Sequence, residues 1–278
     1  MKVLITGAGG SLGAGLAASL APRHALRLSD VRDVETPHAF VRADIRRREE
    51  VLPLAAGMDV VVHTPAWHGI HLRSHGQGDF WDVNVDGTFN VLQSVVAHGV
   101  RRVVWISSMS VRDRNNIYGL SKVIGEELCA FYHRGAGVRF ILLRPADFTP
   151  YPNRRRYGER LLRGGVDRRD VVAAAELAVE HADAAFEALP VLRQDPFTEQ
   201  DVNAWAADPA AVLERHRPGA ADLVRRYALS LPERIGRPDP VEARACLGYR
   251  PRYNFFSFLE DLAAHDAAGD AEAWLSGV

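Results

Sequence analysis

Met1-Lys2-Val3-Leu4-Ile5-Thr6-Gly7-Ala8-Gly9-Gly10-Ser11-Leu12-Gly13 opens the chain, and the reading of this stretch decides the fold. Val3 to Thr6 form a short apolar run of the kind that makes a buried strand. The glycine turn follows at once, and an apolar periodic stretch over 12–20 predicts a helix after it. Gly7, Gly10 and Gly13 have the spacing a dinucleotide needs: one for the tight turn, one for close approach to a pyrophosphate, one for packing helix on strand. Ser11, Leu12 and Gly13 then begin the helix, whose first N–H groups and positive dipole end suit phosphate.

The same alternation continues outward. Short runs at 25–29, 39–41, 60–63, 103–107 and 139–143 read as further buried strands, and 48–55, 80–97 and 117–133 as helices between them. Strand and helix in turn imply a parallel sheet covered on both faces, a doubly wound α/β Rossmann fold. Beyond Arg144 the pattern changes. Residues 149–153 read as a proline loop, 169–189 as a helix and 190–192 as one more strand; the rest is Ala- and Arg-rich with many prolines. The expected organisation is a dinucleotide-binding domain over 1–148 and a small, mostly helical substrate region over 149–278. Segments near 165–192 are expected to return to the first domain.

Bulk properties exclude several classes. The 278 residues are 47% hydrophobic and 25% charged, with a formal net charge of −1. This is ordinary globular composition, and it does not suggest a nucleic-acid or membrane-surface partner. No apolar run approaches the ~20 residues of a membrane span, and no signal peptide is expected, since Met1 to Ile5 run straight into the glycine turn. The two cysteines, Cys129 and Cys246, lack metal or redox spacing, so reduced thiols in a cytoplasmic protein are expected.

Chemistry enters at the strand ends. Ser29-Asp30 closes the second strand about twenty residues past the turn, where a carboxylate accepts from ribose hydroxyls and opposes a 2′-phosphate. That favours NAD, with Arg27 and Arg32 nearby keeping NADP open. Asp44-Ile45 ends the third strand; it can meet the adenine edge, or Asp44 can cap the next helix. Ser107-Ser108-Met109 ends the fifth strand, and Tyr118 and Lys122 follow four apart on one helical face. A phenol with a reference pKa of about 10 becomes a usable base when an ammonium stabilises its anion. Ser108 would hold the substrate oxygen.

Together these pieces resemble the extended short-chain dehydrogenase/reductase family, which holds NAD-dependent sugar epimerases, dehydratases and dehydrogenases. The resemblance also rests on Val61-Val62-His63, Asn84-Val85-Asp86-Gly87-Thr88, Leu143-Arg144-Pro145, Arg169-Asp170-Val171-Val172 and Leu247-Gly248-Tyr249-Arg250-Pro251. It implies that Ser108, Tyr118 and Lys122 are the catalytic trio, that Lys122 also binds the nicotinamide ribose, and that helices bearing Asn84 and Tyr118 pair in a homodimer. Met109 and Ser110 stand where 4,6-dehydratases carry an acid and a base, which argues against that dehydration. Asp147 stands where nucleotide-sugar enzymes place an Asn. The loop between Ser108 and Tyr118 is shorter than in many epimerases.

A partial likeness to hexuronate dehydrogenases lies in Ala21-Pro22 and in Thr149-Pro150-Tyr151-Pro152-Asn153-Arg154-Arg155-Arg156. It implies that Arg156 grips a substrate carboxylate; a solvated basic loop is the other reading. Trp67 and His68, past the fourth strand, are expected on the substrate side. His71 and His75 have metal-ligand spacing only if helical, and the glycines around them predict a loop without metal. The expected activity is NAD-dependent oxidation or reduction of a secondary hydroxyl or carbonyl on a sugar-like substrate, a uronate or a polyol. An epimerase that retains its cofactor and a non-catalytic dinucleotide sensor are the alternatives.

Overall fold

The computed structural model describes residues 1–148 and 151–277. Its strands are β1 (Lys2–Thr6), β2 (Ala25–Asp30), β3 (Ala39–Arg42), β4 (Val60–His63), β5 (Arg102–Ile106), β6 (Arg139–Pro145) and β7 (Phe186–Val191). They form one sheet in the order β3-β2-β1-β4-β5-β6-β7. The registers from β1 to β6 are all parallel. This is the doubly wound α/β order expected from the alternation. The chain leaves β1 toward β3 and returns on its other side at β4, so a crevice opens at the carboxyl ends of β1 and β4, where such sheets bind ligands.

The intervening helices are α1 (Ser11–Leu20), α2 (Arg48–Val51), α3 (Gln77–Phe80), α4 (Gly87–Ala97), α5 (Ile117–Ala136), α6 (Arg154–Leu162) and α7 (Arg168–Glu180). Strands β1, β4 and β5 are apolar on both faces because helices cover both. On one face Val91, Leu92 and Val95 of α4 and Cys129 and Tyr132 of α5 pack with Val61, Trp105 and Phe140. Gly125 makes that contact possible: a Cβ there would lie 2.4 Å from the Trp105 ring. Both cysteines are free thiols.

His63 links the central strands to α4. The Thr88 hydroxyl donates to the Asn84 carbonyl (2.7 Å), so its oxygen accepts from His63 Nε2 (3.2 Å). His63 Nδ1 therefore accepts from the Thr6 hydroxyl at 2.8 Å. Burial pushes this imidazole down to about 3, so it is a neutral bridge.

Several expected boundaries differ, and the helix expected over 48–55 ends at Val51. The 80–97 helix is broken: one turn of π-helix, Trp81–Asp86, joins α3 to α4. The helix expected over 169–189 stops at Glu180, and the strand expected at 190–192 begins at Phe186. The Ala-rich run favours helix locally, but pairing beside β6 wins. Phe140 N–H donates to the Ala185 carbonyl, and Phe186 packs on the Phe140 and His133 rings.

The chain divides into two compact units. One comprises Met1–Pro145, Val172–Pro190 and Cys246–Gly248; the other comprises Ala146–Val171, Val191–Ala245 and the chain from Tyr249 onward. The second has its own core of Leu161, Trp205, Val212, Leu213, Phe255, Phe258 and Leu262. Its helices α8 (Glu199–Trp205), α9 (Pro209–His216) and α10 (Phe255–Ala268) are capped by Thr198, Asp208 and Asn254. Trp205 and Phe255 are fully buried in this core. Among the described residues no helix is long and apolar enough to cross a membrane.

Candidate active site

The glycine turn is built as its spacing requires. Gly7 has φ +75°, and its N–H and that of Ala8 donate to the Ser29 carbonyl at 2.8 and 3.1 Å. A Cβ on Gly13 would sit 2.2 Å from the Gly7 carbonyl oxygen. Helix α1 starts at Ser11 and Leu12 with Gly10 as its cap residue, and no side chain caps it. The start of a ten-residue helix with a bare glycine cradle can hold a pyrophosphate.

Asp30 lies against this turn. One carboxylate oxygen accepts from Gly9 N–H (2.9 Å), the other from Arg32 N–H (3.0 Å). The Arg32 guanidinium bonds the Gly9 carbonyl (3.0 Å) and lies 3.5 Å from Asp30. Arg27 is held elsewhere, donating to the Leu54 and Ala56 carbonyls. Of the two arginines, only Arg32 is paired with Asp30. Asp44 is bound by Arg46, whose hydrogen bond holds its carboxyl below the usual range. The helix-cap alternative for Asp44 is not realised, since Arg47 occupies the cap position of α2. Ile45 is buried against Gly87, and its carbonyl accepts from Asn90 Nδ2 at 2.9 Å.

At the end of β5, Ser107 and Ser108 differ in surroundings. Ser107 Oγ donates to Glu126 Oε1 at 2.5 Å. Ser108 is extended, and its Oγ accepts from Ser110 N–H (3.0 Å), heading the short 3-10 turn Met109–Arg112. Helix α5 is registered by Asn116, which accepts from Gly119 N–H at 2.9 Å. Gly119 has no substitute, because a Cβ would lie 1.8 Å from the Asp113 carbonyl oxygen. Tyr118 and Lys122 follow on one face, both buried. Lys122 Nζ donates to the Ile106 carbonyl (2.8 Å) and lies 4.8 Å from the Trp105 ring centre. Burial pulls its ammonium down to about 7 against the opposing charge of Glu126.

Glu126 and Ser121 are not singled out in the sequence, and Asn84 is noted there only as part of a motif and of a pairing helix. Glu126, one turn past Lys122, accepts from Ser107 and takes a two-pronged contact from Arg144 at 2.8 and 2.5 Å. Its spacing of four from Lys122 was the available signal. Asn84 and Ser121 clamp the loop after β4. Asn84 accepts from Trp67 N–H (2.8 Å) and donates to the Trp67 carbonyl (3.0 Å) and Ser121 Oγ (2.9 Å); Ser121 donates to the Tyr118 carbonyl (2.8 Å).

That clamp brings the loop beside Tyr118. The His68 and Phe80 ring centres lie 6.1 and 6.5 Å from that of Tyr118. A Cβ on Gly69 would be 3.5 Å from the Tyr118 ring. The expected loop contains a 3-10 turn, Gly69–His71, closed by His68 N–H donating to His71 Nδ1 at 2.9 Å. Trp67 lies 3.9 Å from the His75 ring centre and 4.9 Å from that of His71. No group of three or more His, Cys, Asp or Glu is arranged for a metal among the described residues.

Within the second unit, Thr149 and Pro150 of the hexuronate-like run lie outside the described residues. The arginines that follow are helical rather than loop: α6 begins at Arg154, with Asn153 accepting from Arg156 N–H (2.9 Å). Arg154 bonds the Trp274 carbonyl, and Arg155 bonds the Tyr227 carbonyl and Glu272. Arg156 is 66% exposed, with Glu159 at 3.9 Å. Asp147 is half exposed and pairs with buried Arg160 at 3.4 Å.

The chain is similar to known proteins. The chain is 30% identical over 175 residues to the uronate dehydrogenase of Pseudomonas syringae pv. tomato, covering 56% of this chain and 62% of that one. It is 28% identical over 184 residues to a putative UDP-glucose 4-epimerase of Methanocaldococcus jannaschii, covering 57% of each. It thus spans less than two thirds of the length of either relative. A solved short-chain dehydrogenase/reductase superfamily protein of Agrobacterium tumefaciens with bound NAD superposes with a TM-score of 0.73 at 19% identity. That superposition covers 98% of this chain and 99% of the other, and shows the shared fold. The model of the NAD dependent epimerase/dehydratase family matches residues 3–163, more than half the chain and all of the glycine turn, Ser108, Tyr118 and Lys122; the chain belongs to that family.

Proposed function

We propose that the protein oxidises a secondary hydroxyl of a sugar-like substrate, a hexuronate foremost, or reduces the corresponding carbonyl, with NAD. The observation that carries this reading is Lys122. A buried ammonium held at the end of β5, one helical turn from Tyr118, is an unfavourable arrangement that serves to lower a phenol's pKa. NAD supplies the hydride acceptor. The residues fit it: a turn at Gly7, Gly10 and Gly13 packed so closely that a Cβ on Gly7 or Gly13 would collide with Thr64 or the Gly7 carbonyl, the start of α1 at Ser11 and Leu12, and Asp30 for the ribose hydroxyls. Asp44 and Ile45 would lie at the adenine end, and Tyr118 and Lys122 would hold the nicotinamide ribose.

In the oxidation direction Ser108 Oγ hydrogen-bonds the substrate oxygen. Tyr118, ionised beside the Lys122 ammonium, takes the hydroxyl proton. Trp67, His68 and Met109 line the substrate side. Glu126 and Arg144 fix the β5 end and α5 with respect to each other. Half-exposed Asp147 is a poor neighbour for a diphosphate, which favours a free sugar over a nucleotide sugar. Epimerisation uses the same trio but regenerates its cofactor. A screen of free sugars, uronates and nucleotide sugars, followed at the NADH absorbance, tests the reading: steady NADH release supports it, and product formation without NADH overturns it. Exposed Phe89 and Val96 on α4 and Phe131 on α5 suit the two-fold helix pairing of a homodimer.

Two expected results follow for the binding residues. Asp30→Ala should weaken NAD binding about tenfold and narrow its advantage over NADP, because a carboxylate is lost and Arg32 is released toward a 2′-phosphate. Direct titration of both dinucleotides checks this, and a wild type that already prefers NADP refutes it. Arg156→Ala should raise KM for glucuronate by about tenfold to a hundredfold, the value of a charge-assisted hydrogen bond. NAD affinity and the KM of a neutral polyol should stay unchanged.

A further inference from the structure

The loop after β4 holds a donor without a partner. His71 Nδ1 accepts from the His68 peptide N–H at 2.9 Å, so in the neutral ring the proton resides on Nε2. No described residue bonds that Nε2. The ring is half-buried between Trp67, at 4.9 Å, and His75, at 5.5 Å. It also lies beside His68, at 5.9 Å, which in turn flanks Tyr118 at 6.1 Å. The mechanism above does not use it.

Resting on the oxidoreductase reading, we propose that His71 is a specificity-determining residue that donates from Nε2–H to an acceptor oxygen of the sugar, remote from the carbon that is oxidised. A proton relay from Tyr118 through this ring is a poorer account. Relay requires one nitrogen to receive a proton while the other releases it, and Nδ1 is occupied by a peptide N–H that cannot pass its proton on. Burial, with the neighbouring His75, moves the His71 imidazole below its ordinary range, which keeps it a fixed neutral donor. The Asn84 clamp on Trp67 and the His68 bond then hold this donor at one place relative to α5. A carboxylate or a hydroxyl can supply the acceptor oxygen.

The test compares His71→Phe with wild type, using D-glucuronate and D-glucose as probes with NAD present. Phe keeps an aromatic ring against Trp67 but removes both nitrogens, the Nδ1 acceptor of the His68 N–H with Nε2, so the intact ring is read separately by NMR. A KM raised about tenfold or more for glucuronate alone identifies a carboxylate; a rise of about threefold to tenfold for both sugars identifies a shared hydroxyl. In either case kcat and NAD affinity should hold. Unchanged KM values, or a loss confined to kcat, overturn the proposal. Nitrogen NMR of the imidazoles provides a second reading that leaves His71 itself intact. His71 should be protonated at Nε2, and that resonance should move when glucuronate or glucose is added to NAD-loaded Tyr118→Phe protein, which binds without turning over. A proton on Nδ1, or an unmoved Nε2 at saturating sugar, refutes it. A wild type that forms NADH with neither sugar or any other hydroxyl substrate overturns the oxidoreductase reading, and this inference with it.

Discussion

Tyr118→Phe should reduce turnover by about 10²-fold or more, the scale on which a positioned general base acts. The substitution removes one oxygen from a buried ring. Packing against Phe80, Gly69 and His68 is retained, so fold and NAD affinity should barely change. The expected signature is thus a fall in kcat with little movement in the dinucleotide Kd. No other described side chain combines this position with a neighbouring ammonium on the same helical face. Glu126 is held by Arg144 and Ser107, and His63 is a neutral bridge inside the sheet. Retained turnover in the Phe variant with a substrate the wild type oxidises would remove the proposed mechanism while leaving the dinucleotide cradle intact.

What was legible in the sequence was what short-range chemistry determines. The glycine turn has one workable geometry next to a strand, so Gly7, Gly10 and Gly13 announced both the first βα unit and a phosphate cradle. The buried strands announced themselves as brief Val, Ile and Leu runs because both faces of the sheet are covered. The residues that tension the site against the rest of the unit were harder to see. Asn84 works through a π turn, and an inserted residue leaves no mark in a helical apolar pattern. Edge strand β7 lies in an Ala-rich stretch whose local preference is helical and whose pairing partner is some forty residues earlier. Arg154 to Arg156 left a carboxylate grip at Arg156 and a basic loop both open, and the helix that begins at Arg154 was obscured by the prolines just before it. Glu126 is different: its spacing from Lys122 was visible, but its partners Ser107 and Arg144 come from two other strand ends, and only the fold brings them together.

Lys122→Met should show that this site is held at the expense of stability. The variant should lose turnover on the same scale as Tyr118→Phe, since the phenolate loses its counter-charge. It should also melt higher than wild type at pH 7. Lys122 is buried, and its ammonium is lowered from 10.5 to about 7. The unfolded chain therefore binds more protons than the folded one between about pH 7 and 10.5. Stability rises with pH through that window, and the penalty is full at and below neutral pH. Methionine fills a similar volume without charge. Against that gain stands the lost charge-assisted bond to the Ile106 carbonyl, about 1.5–3 kcal/mol. An ammonium lowered from 10.5 to about 7 carries a burial penalty on the order of 4–5 kcal/mol at neutral pH, which outweighs that loss. Thermal unfolding without dinucleotide should therefore favour the variant at pH 7, with the difference shrinking toward pH 10. An unchanged or lower melting temperature at pH 7 would mean that the ammonium is not penalised in the fold, and that the lysine does not have the proton-tuning role assigned to it.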